Sequence, residues 1–416
     1  MGRADIEMTP SGSTTGQAFM PSLPVLVLNS GSSSIKFSGY EAGKGQRQKL
    51  FEGAADGIAT GNGKFWIEEK GERLADETPL LPNRSVAFEL VAGVLRSGRF
   101  PAPRAIGHRI VCGGPAVREN QRITAELIDE IDRYAELAPL HTPIAVHIMR
   151  ESLRLFPGVP QFAVLDTWFH RTIPEIATIL PIPAEYKAMG VHRYGYHGIS
   201  CESIVAQLRP TVPEKLIIAH LGNGASLTAI RNGESIDTSM GLTPAGGIVS
   251  ATRTGDIDPG VLLFLLRKIA TTTPNAADAA DKLETLVNRK SGLLGMSGIG
   301  YDMRDLRAAI RAGNACAQLA VSKFTWTIVR WIGSFVAELG GLDMLVFTGG
   351  IGENDMDIRA EICAGMGALG IVLDPERNKV RGAAVISAPD SRVDVCVIPP
   401  AEDAMIVDHV VRLLKA

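Results

Sequence analysis

Four consecutive apolar residues, Val25–Leu28, rise out of a polar head, followed by the polar run Asn29–Ser34 and the alternating Ile35-Lys36-Phe37. An apolar run followed by alternation predicts a buried strand, a turn and a hairpin partner. Lys215–Ile230 repeats this layout as strand, Gly-rich turn and strand, which predicts a duplicated domain. Ala105–Cys112, Gln161–Leu165, Met344–Phe347 and Val393–Ile398 read as further buried strands, and Lys64–Glu68 as a shorter one. Helical spacing marks Val86–Leu95, Thr124–Leu137, Ile144–Leu155, Glu202–Leu208, Val261–Ile269, Pro274–Val287, Cys316–Leu339 and Ala401–Leu414. Ile173–Met189, with three prolines, reads as a crossing between domains. Asp237–Gly260 has neither period, and structureless stretches of that length inside domains are usually functional. Hairpins mixed with strand–helix alternation predict an α/β protein with mixed sheets.

The chain has 416 residues, which suits two domains. A net charge of −3 lacks the basic surplus of a nucleic-acid binder. Apolar runs are all far shorter than the roughly 20 residues of a membrane helix, and residues 1–22, without a sustained apolar core, read as a flexible extension. The five scattered cysteines form no CxxC pair, which argues against a disulfide framework or zinc site and for a reducing cytoplasm.

The candidate chemistry lies in the breaks between elements. Three Gly- or Ser-rich turns follow buried strands, at Asn29–Ser34, Gly222–Ala225 and Gly349–Asn354. Together, with no dinucleotide fingerprint, they suggest a nucleotide held by backbone N–H groups. Strand alternation puts Ser32 and Ser34 on the side of Lys36. Arg109 and Arg253 stand among Gly and Thr, suited to an anion or to an ion pair. Asp166 ends a buried strand, where a carboxylate needs a partner, a metal or a helix to cap. His141 and His197 lie in polar loops, where catalysis and capping are both open, and the helix dipole alone favours an acid at Glu402.

At these positions the chain resembles the acetokinase family, within the acetate and sugar kinase/Hsc70/actin superfamily. The matching segments, in order, are VLVLNSGSSSIKF, GHRIV, LAPLHTP, DTWFH, RYGYHGIS, HLGNGAS, DTSMGLTP, TRTGDIDPG, SGLLGMSG, DMRDL, FTGGIGEN and VIPPAED, spanning nearly the whole chain. The resemblance implies duplicated ribonuclease H-like (actin-like) ATPase domains with ATP in the cleft between them. Residues 23–170 with 400–416 would form the substrate and metal side, and 171–399 the nucleotide side. It implies ATP-dependent phosphorylation of acetate to acetyl phosphate and the reverse. Propionate or butyrate phosphorylation, or nucleotide binding without catalysis, are the alternatives. It implies Mg²⁺, or Mn²⁺, on Asn29 and Glu402, and catalytic roles for Arg109, His141, Asp166, His197 and Arg253. Arg109, Val111, Leu140, Tyr196 and Pro244 match the acyl-binding positions. Lys36, Ser32 and Ser34, then His220, Leu221, Gly222, Asn223 and Gly224, Asp302, Met303 and Arg304, and Gly350, Ile351, Gly352, Glu353 and Asn354 match the nucleotide positions. The family also implies a homodimer. Departures from its pattern include Cys112 and Cys201 for His, Thr142 for Asn, Tyr196 for Phe and Gly349 for Ala. The acidic residue after TPL is missing at Gly246, and AED at Ala401–Asp403 replaces NEE. Tyr196 is expected to put a hydroxyl at the edge of the acyl pocket.

Overall fold

The structure, a computed structural model, describes residues 22–31, 33–43, 46–139 and 141–415. The readings made for residues 1–21, Ser32 and Leu140 lie outside the described residues.

The strands are β1 (Leu23–Ser30), β2 (Ser34–Gly43), β3 (Gln46–Asp56), β4 (Lys64–Glu69), β5 (Glu72–Glu77), β6 (Ala105–Ile110), β7 (Gln121–Arg122), β8 (Gln161–Leu165), β9 (Lys215–Leu221), β10 (Ala225–Arg231), β11 (Glu234–Thr238), β12 (Met344–Thr348), β13 (Ala384–Val385) and β14 (Asp394–Val397). They form two mixed sheets, ordered β5-β4-β3-β2-β1-β6-β8-β7 and β11-β10-β9-β12-β14-β13. Each contains the same unit. A three-stranded antiparallel meander pairs its first strand in parallel with a fourth, which pairs in parallel with a fifth. The duplication suggested by the two hairpins is therefore a duplication of topology.

The apolar runs are continuous because helices cover both faces of each sheet. On β1, Leu26 and Leu28 pack with Phe88 and Ile148, from the helices Arg84–Arg96 and Thr142–Leu155. Val25 and Val27 pack the other way, against Ile406 and Val410 of the C-terminal helix Glu402–Leu413. On β9, Ile217 and Ala219 meet Phe324 and Ile328 of the long helix Ala315–Leu339. Leu216 and Ile218 meet Ile204 and Leu208 of the helix Gly198–Leu208.

Three departures from the sequence reading have local causes. Strands β3 and β5 are not marked by the pattern, because Gln46–Lys49 and much of Glu72–Glu77 are solvent-exposed and carry no apolar alternation. Asp237 and Thr238, placed in the long irregular stretch, finish β11 against β10. The helix expected from Glu202 begins at Gly198, directly after His197.

Candidate active site

Parallel strands from both sheets end at one junction, and the crevice beyond their carboxyl ends is where open α/β sheets bind ligands. From the first sheet come Asn29 near the end of β1, Arg109 near the end of β6 and Asp166 just after β8. From the second come His220 and Leu221 at the end of β9, the turn Gly222–Gly224, and Thr348 ending β12.

Arg109 is the hub on the first side. Its Nε and Nη2 donate to Asp166 Oδ1 and Oδ2 at 3.2 and 2.5 Å. Its Nη1 reaches Asn29 Oδ1 at 3.3 Å, and Glu402 lies 3.9 Å from Nε. Asp166 is 1% exposed, and burial pushes its carboxyl up against the opposing pull of Arg109. A buried carboxylate is tolerated when paired in this forked geometry. With Nε and Nη2 committed to Asp166 and one Nη1 hydrogen aimed at Asn29, the second N–H of Nη1 is left for a ligand. The neighbouring Asp403 is held by the Ser38 hydroxyl at 2.7 Å, so Glu402 is the less committed acid at the start of this helix. Lys36 is exposed on β2, opposite Asn29 in the hairpin register, and Ser34 lies two residues before it.

On the second side, His197 adopts the left-handed conformation, φ +61°. Gly198 follows it with its N–H on Asp166 O at 2.8 Å, and a Cβ there would stand 2.2 Å from that oxygen. The His197 and His220 rings stack at 4.2 Å. Each is held at Nδ1 by a serine at 2.9 Å, Ser226 for His197 and Ser200 for His220. Burial lowers both: His220 falls to about 4, and His197 lies well below its ordinary range, with His220, Arg109 and Arg253 adding repulsion. His141 is lowered to about 4 by burial, then by Arg253 and Arg109. The two arginines and three histidines thus share one electrostatic neighbourhood.

Arg253 has no carboxylate within ion-pair distance among the described residues. Its Nη1 reaches only Pro244 O, at 3.4 Å. Gly224 makes room for it, since a Cβ there would lie 3.0 Å from Arg253 Nη1 and 3.3 Å from His197 Nε2. A half-buried guanidinium without a counter-charge is a receptor for an anion.

The acyl-side positions fall into adjoining groups. Val111 and Tyr196 belong to an apolar cluster with Cys112, Ala138, Tyr194 and Met240. Pro244, His141 and Arg253 line a cavity of about 100 Å³ that Ala138 also borders. The Tyr196 side chain is 1% exposed and its hydroxyl donates to Leu242 O at 2.6 Å. That hydroxyl is therefore taken up by the backbone.

The positions that the resemblance matched to a nucleotide lie on neighbouring elements of the second sheet's side. Gly349 (φ +76°) lets the helix Gly349–Asn354 abut the end of β9, where a Cβ would come within 2.8 Å of Leu221 O. Gly350 and Asn354 are exposed, while Ile351, Gly352 and Glu353 turn partly inward. Asp302 caps the helix Met303–Arg311 through Arg304 N at 2.9 Å and pairs with the Arg304 side chain at 2.6 Å. Met303 is buried in the core of the second sheet. Arg307, which the sequence did not single out, ties this helix to Asp355 and Glu361 at 3.4 and 2.7 Å. Ser200, Ser226 and His170 were also missed, although they stand in the quoted segments RYGYHGIS, HLGNGAS and DTWFH. A serine that orients a histidine leaves no periodic trace.

The doubled topology with a cationic junction defines the actin-like ATPase fold, in which two related domains face one another. A profile of the acetokinase family matches residues 24–408. The chain is 40% identical over 402 residues to an acetate kinase of Geobacillus sp. (strain WCH70), covering 94% of this chain and 98% of the relative. It is 41% identical over 407 residues to an acetate kinase of Dictyoglomus turgidum, covering 94% and 98%. Among solved structures, an acetate kinase of Porphyromonas gingivalis superposes with a TM-score of 0.82 at 36% identity, covering 94% of this chain and all of that one. A propionate kinase of Francisella tularensis superposes at 0.86 and 34%, with the same coverage. The chain belongs to the acetokinase family.

Proposed function

We infer that the chain catalyses ATP-dependent phosphorylation of acetate to acetyl phosphate, and the reverse, by direct in-line transfer. The observation that carries this reading is the unneutralised Arg253 facing His197, next to a second guanidinium, Arg109, whose Nη1 is not engaged by Asp166. A carboxylate is already nucleophilic at neutral pH, so the work is to bring anions together and hold charge on the phosphoryl group. An acetate oxygen bonds to the γ-phosphorus as the bond to the bridging oxygen breaks. ADP leaves with that electron pair, and no proton needs to move.

In this reading Arg109 Nη1 holds the acetate carboxylate, and Asp166 orients Arg109. Val111, Tyr196 and Pro244 surround the methyl. Arg253 and His197 meet the phosphoryl oxygens, His197 through Nε2–H with Ser226 donating to Nδ1. His141 stands beside Arg253 at the acyl cavity. Lys36 and the segments 220–224, 302–304 and 350–354 receive the nucleotide. The amide oxygen of Asn29 and the carboxylate of Glu402 are hard donors of the kind Mg²⁺ takes, so these two residues would hold it. When bound, the ion neutralises phosphate charge.

The division into 23–170 with 400–416 and 171–399 is supported by the C-terminal helix, which packs on the first sheet. A homodimer is supported by the helix Pro259–Ala270, which has no buried residue although it carries Val261, Leu263 and Phe264. A cytoplasmic location fits five free cysteines. No helix among the described residues is long and apolar enough to cross a membrane.

Steady-state kinetics with formate, acetate, propionate and butyrate test this function. The expected order places acetate first in kcat/KM, and Arg109→Ala raises the acetate KM at least tenfold more than the ATP KM. A larger homologue in first place would overturn the substrate, and equal effects on both KM values would overturn the role of Arg109.

A further inference from the structure

A cavity near the junction lies outside the proposed catalytic machinery. It measures about 300 Å³ and opens between residues 114–118, 167–178 and 187–194. Its permanent charges are Arg118, Arg171, Lys187 and Arg193 against the single carboxylate of Glu175, in a chain whose net charge is −3. The internal partners do not cancel this excess. Lys187 takes up Glu175. Arg193 is spent on Ala177 O and Thr238 O, at 2.9 and 2.5 Å, and on Asp237 at 3.5 Å. Arg171 lies 3.5 Å over the Trp168 ring and donates to Trp168 O, with no carboxylate partner among the described residues. Arg118 likewise has none, and the adjacent Glu119 is taken by Trp168 Nε1 at 2.8 Å.

We propose that this cavity is a second anion site, which takes a small molecule carrying two or more carboxylate or phosphate groups bridged between Arg118 and Arg171. Planar guanidiniums without internal counter-charges are suited to oxyanions, and the volume is at the lower end of ligand pockets, about 300–1,000 Å³. The site is mechanically joined to the catalytic residues. Thr167, on its wall, follows Asp166 directly. His170, also on the wall, is held by Ser235 at 2.9 Å and donates from Nε2 to Tyr196 O at 3.0 Å, one residue before His197. Arg193 and Tyr194 continue into the same loop. An occupant bridging the 118 and 171 sides braces both segments, so it changes the affinity for the carboxylate substrate, and that substrate changes its affinity in return.

Isothermal titration calorimetry on the full chain, without metal, tests the site with two probes, tricarballylate and pyrophosphate. The expected result is saturable binding of at least one probe, weakened at least tenfold by Arg118→Ala with Arg171→Ala and unchanged by Arg253→Ala. The tighter probe identifies the carboxylate or the phosphate source. Both arginines are exposed, and the single reversal Arg118→Glu, with an unchanged thermal midpoint, gives the same loss should the double variant fold poorly. Absence of saturable binding for both probes overturns the proposal. So does binding that survives the double variant and disappears in Arg253→Ala, which would place the probe in the catalytic junction.

Discussion

Single side chains in this protein are set by what they touch behind the site. His170 shows this most plainly. It is 3% exposed, and donation from Nε2 to Tyr196 O leaves Nδ1 to accept from Ser235, which specifies a neutral ring. Burial lowers it from 6.5 to about 4. Between those values the unfolded chain takes a proton that the folded chain refuses, so its contribution is complete above pH 6.5 and is lost as pH falls toward 4. The slope contributed by one such histidine reaches about 1.4 kcal/mol per pH unit. Urea unfolding at pH 7.5, 6 and 5 should show stability falling with acid, with a shallower fall in His170→Asn. An identical slope in the variant would mean that His170 is not held neutral. At this scale the sequence exposed the actors but not their pairings. Arg109 and Asp166 both stood out as unusual for their surroundings. Their mutual fork joins residues 57 positions apart, which no local pattern encodes.

At the scale of elements, three site-bearing segments are tied by one buried chain of hydrogen bonds. Asn120 Oδ1 accepts from Leu165 N at 2.8 Å, next to Asp166. Asn120 Nδ2 meets His409 Nδ1 at 3.0 Å, and His409 Nε2 meets Glu202 at 2.8 Å. This connects the end of β8, the C-terminal helix that starts with Glu402 and the helix that starts after His197. Asn120→Ala orphans a buried N–H and a ring nitrogen. It is expected to destabilise by about 1–3 kcal/mol in denaturant unfolding and to lower kcat while the local fold persists. A change within a few tenths of a kcal/mol would show that the chain of bonds is dispensable. The central strands were legible because burial on both faces produces unbroken apolar runs. Strands β3 and β5 were not, because their solvated stretches have no reason to alternate cleanly. The start of the Gly198 helix was obscured by its glycine, which is required by close approach to Asp166 O and is unfavourable to helix propensity.

For the molecule as a whole, the repeated five-strand unit brings two sets of strand ends to face each other. The first set contributes acids and an arginine, and the second contributes histidines and the uncompensated Arg253. The exposed apolar helix Pro259–Ala270 gives the assembled molecule an unfinished surface, with Phe264 57% exposed. Light scattering after size exclusion is expected to give a dimer for the parent chain and a monomer for Phe264→Glu. A parent that stays monomeric at tens of micromolar would refute that assembly. The two hairpins announced the duplication in the sequence. The junction itself was visible only through family resemblance, since its members come from segments far apart in the chain.

The reaction proposed for the junction transfers a phosphoryl group to a carboxylate and not to water. ³¹P NMR of the full chain with ATP, acetate and Mg²⁺ observes that partition directly. The expected result is that the γ-phosphate signal gives way to an acyl phosphate signal in step with ADP, with little inorganic phosphate. Formation of ADP with inorganic phosphate alone, or no loss of ATP, would contradict it.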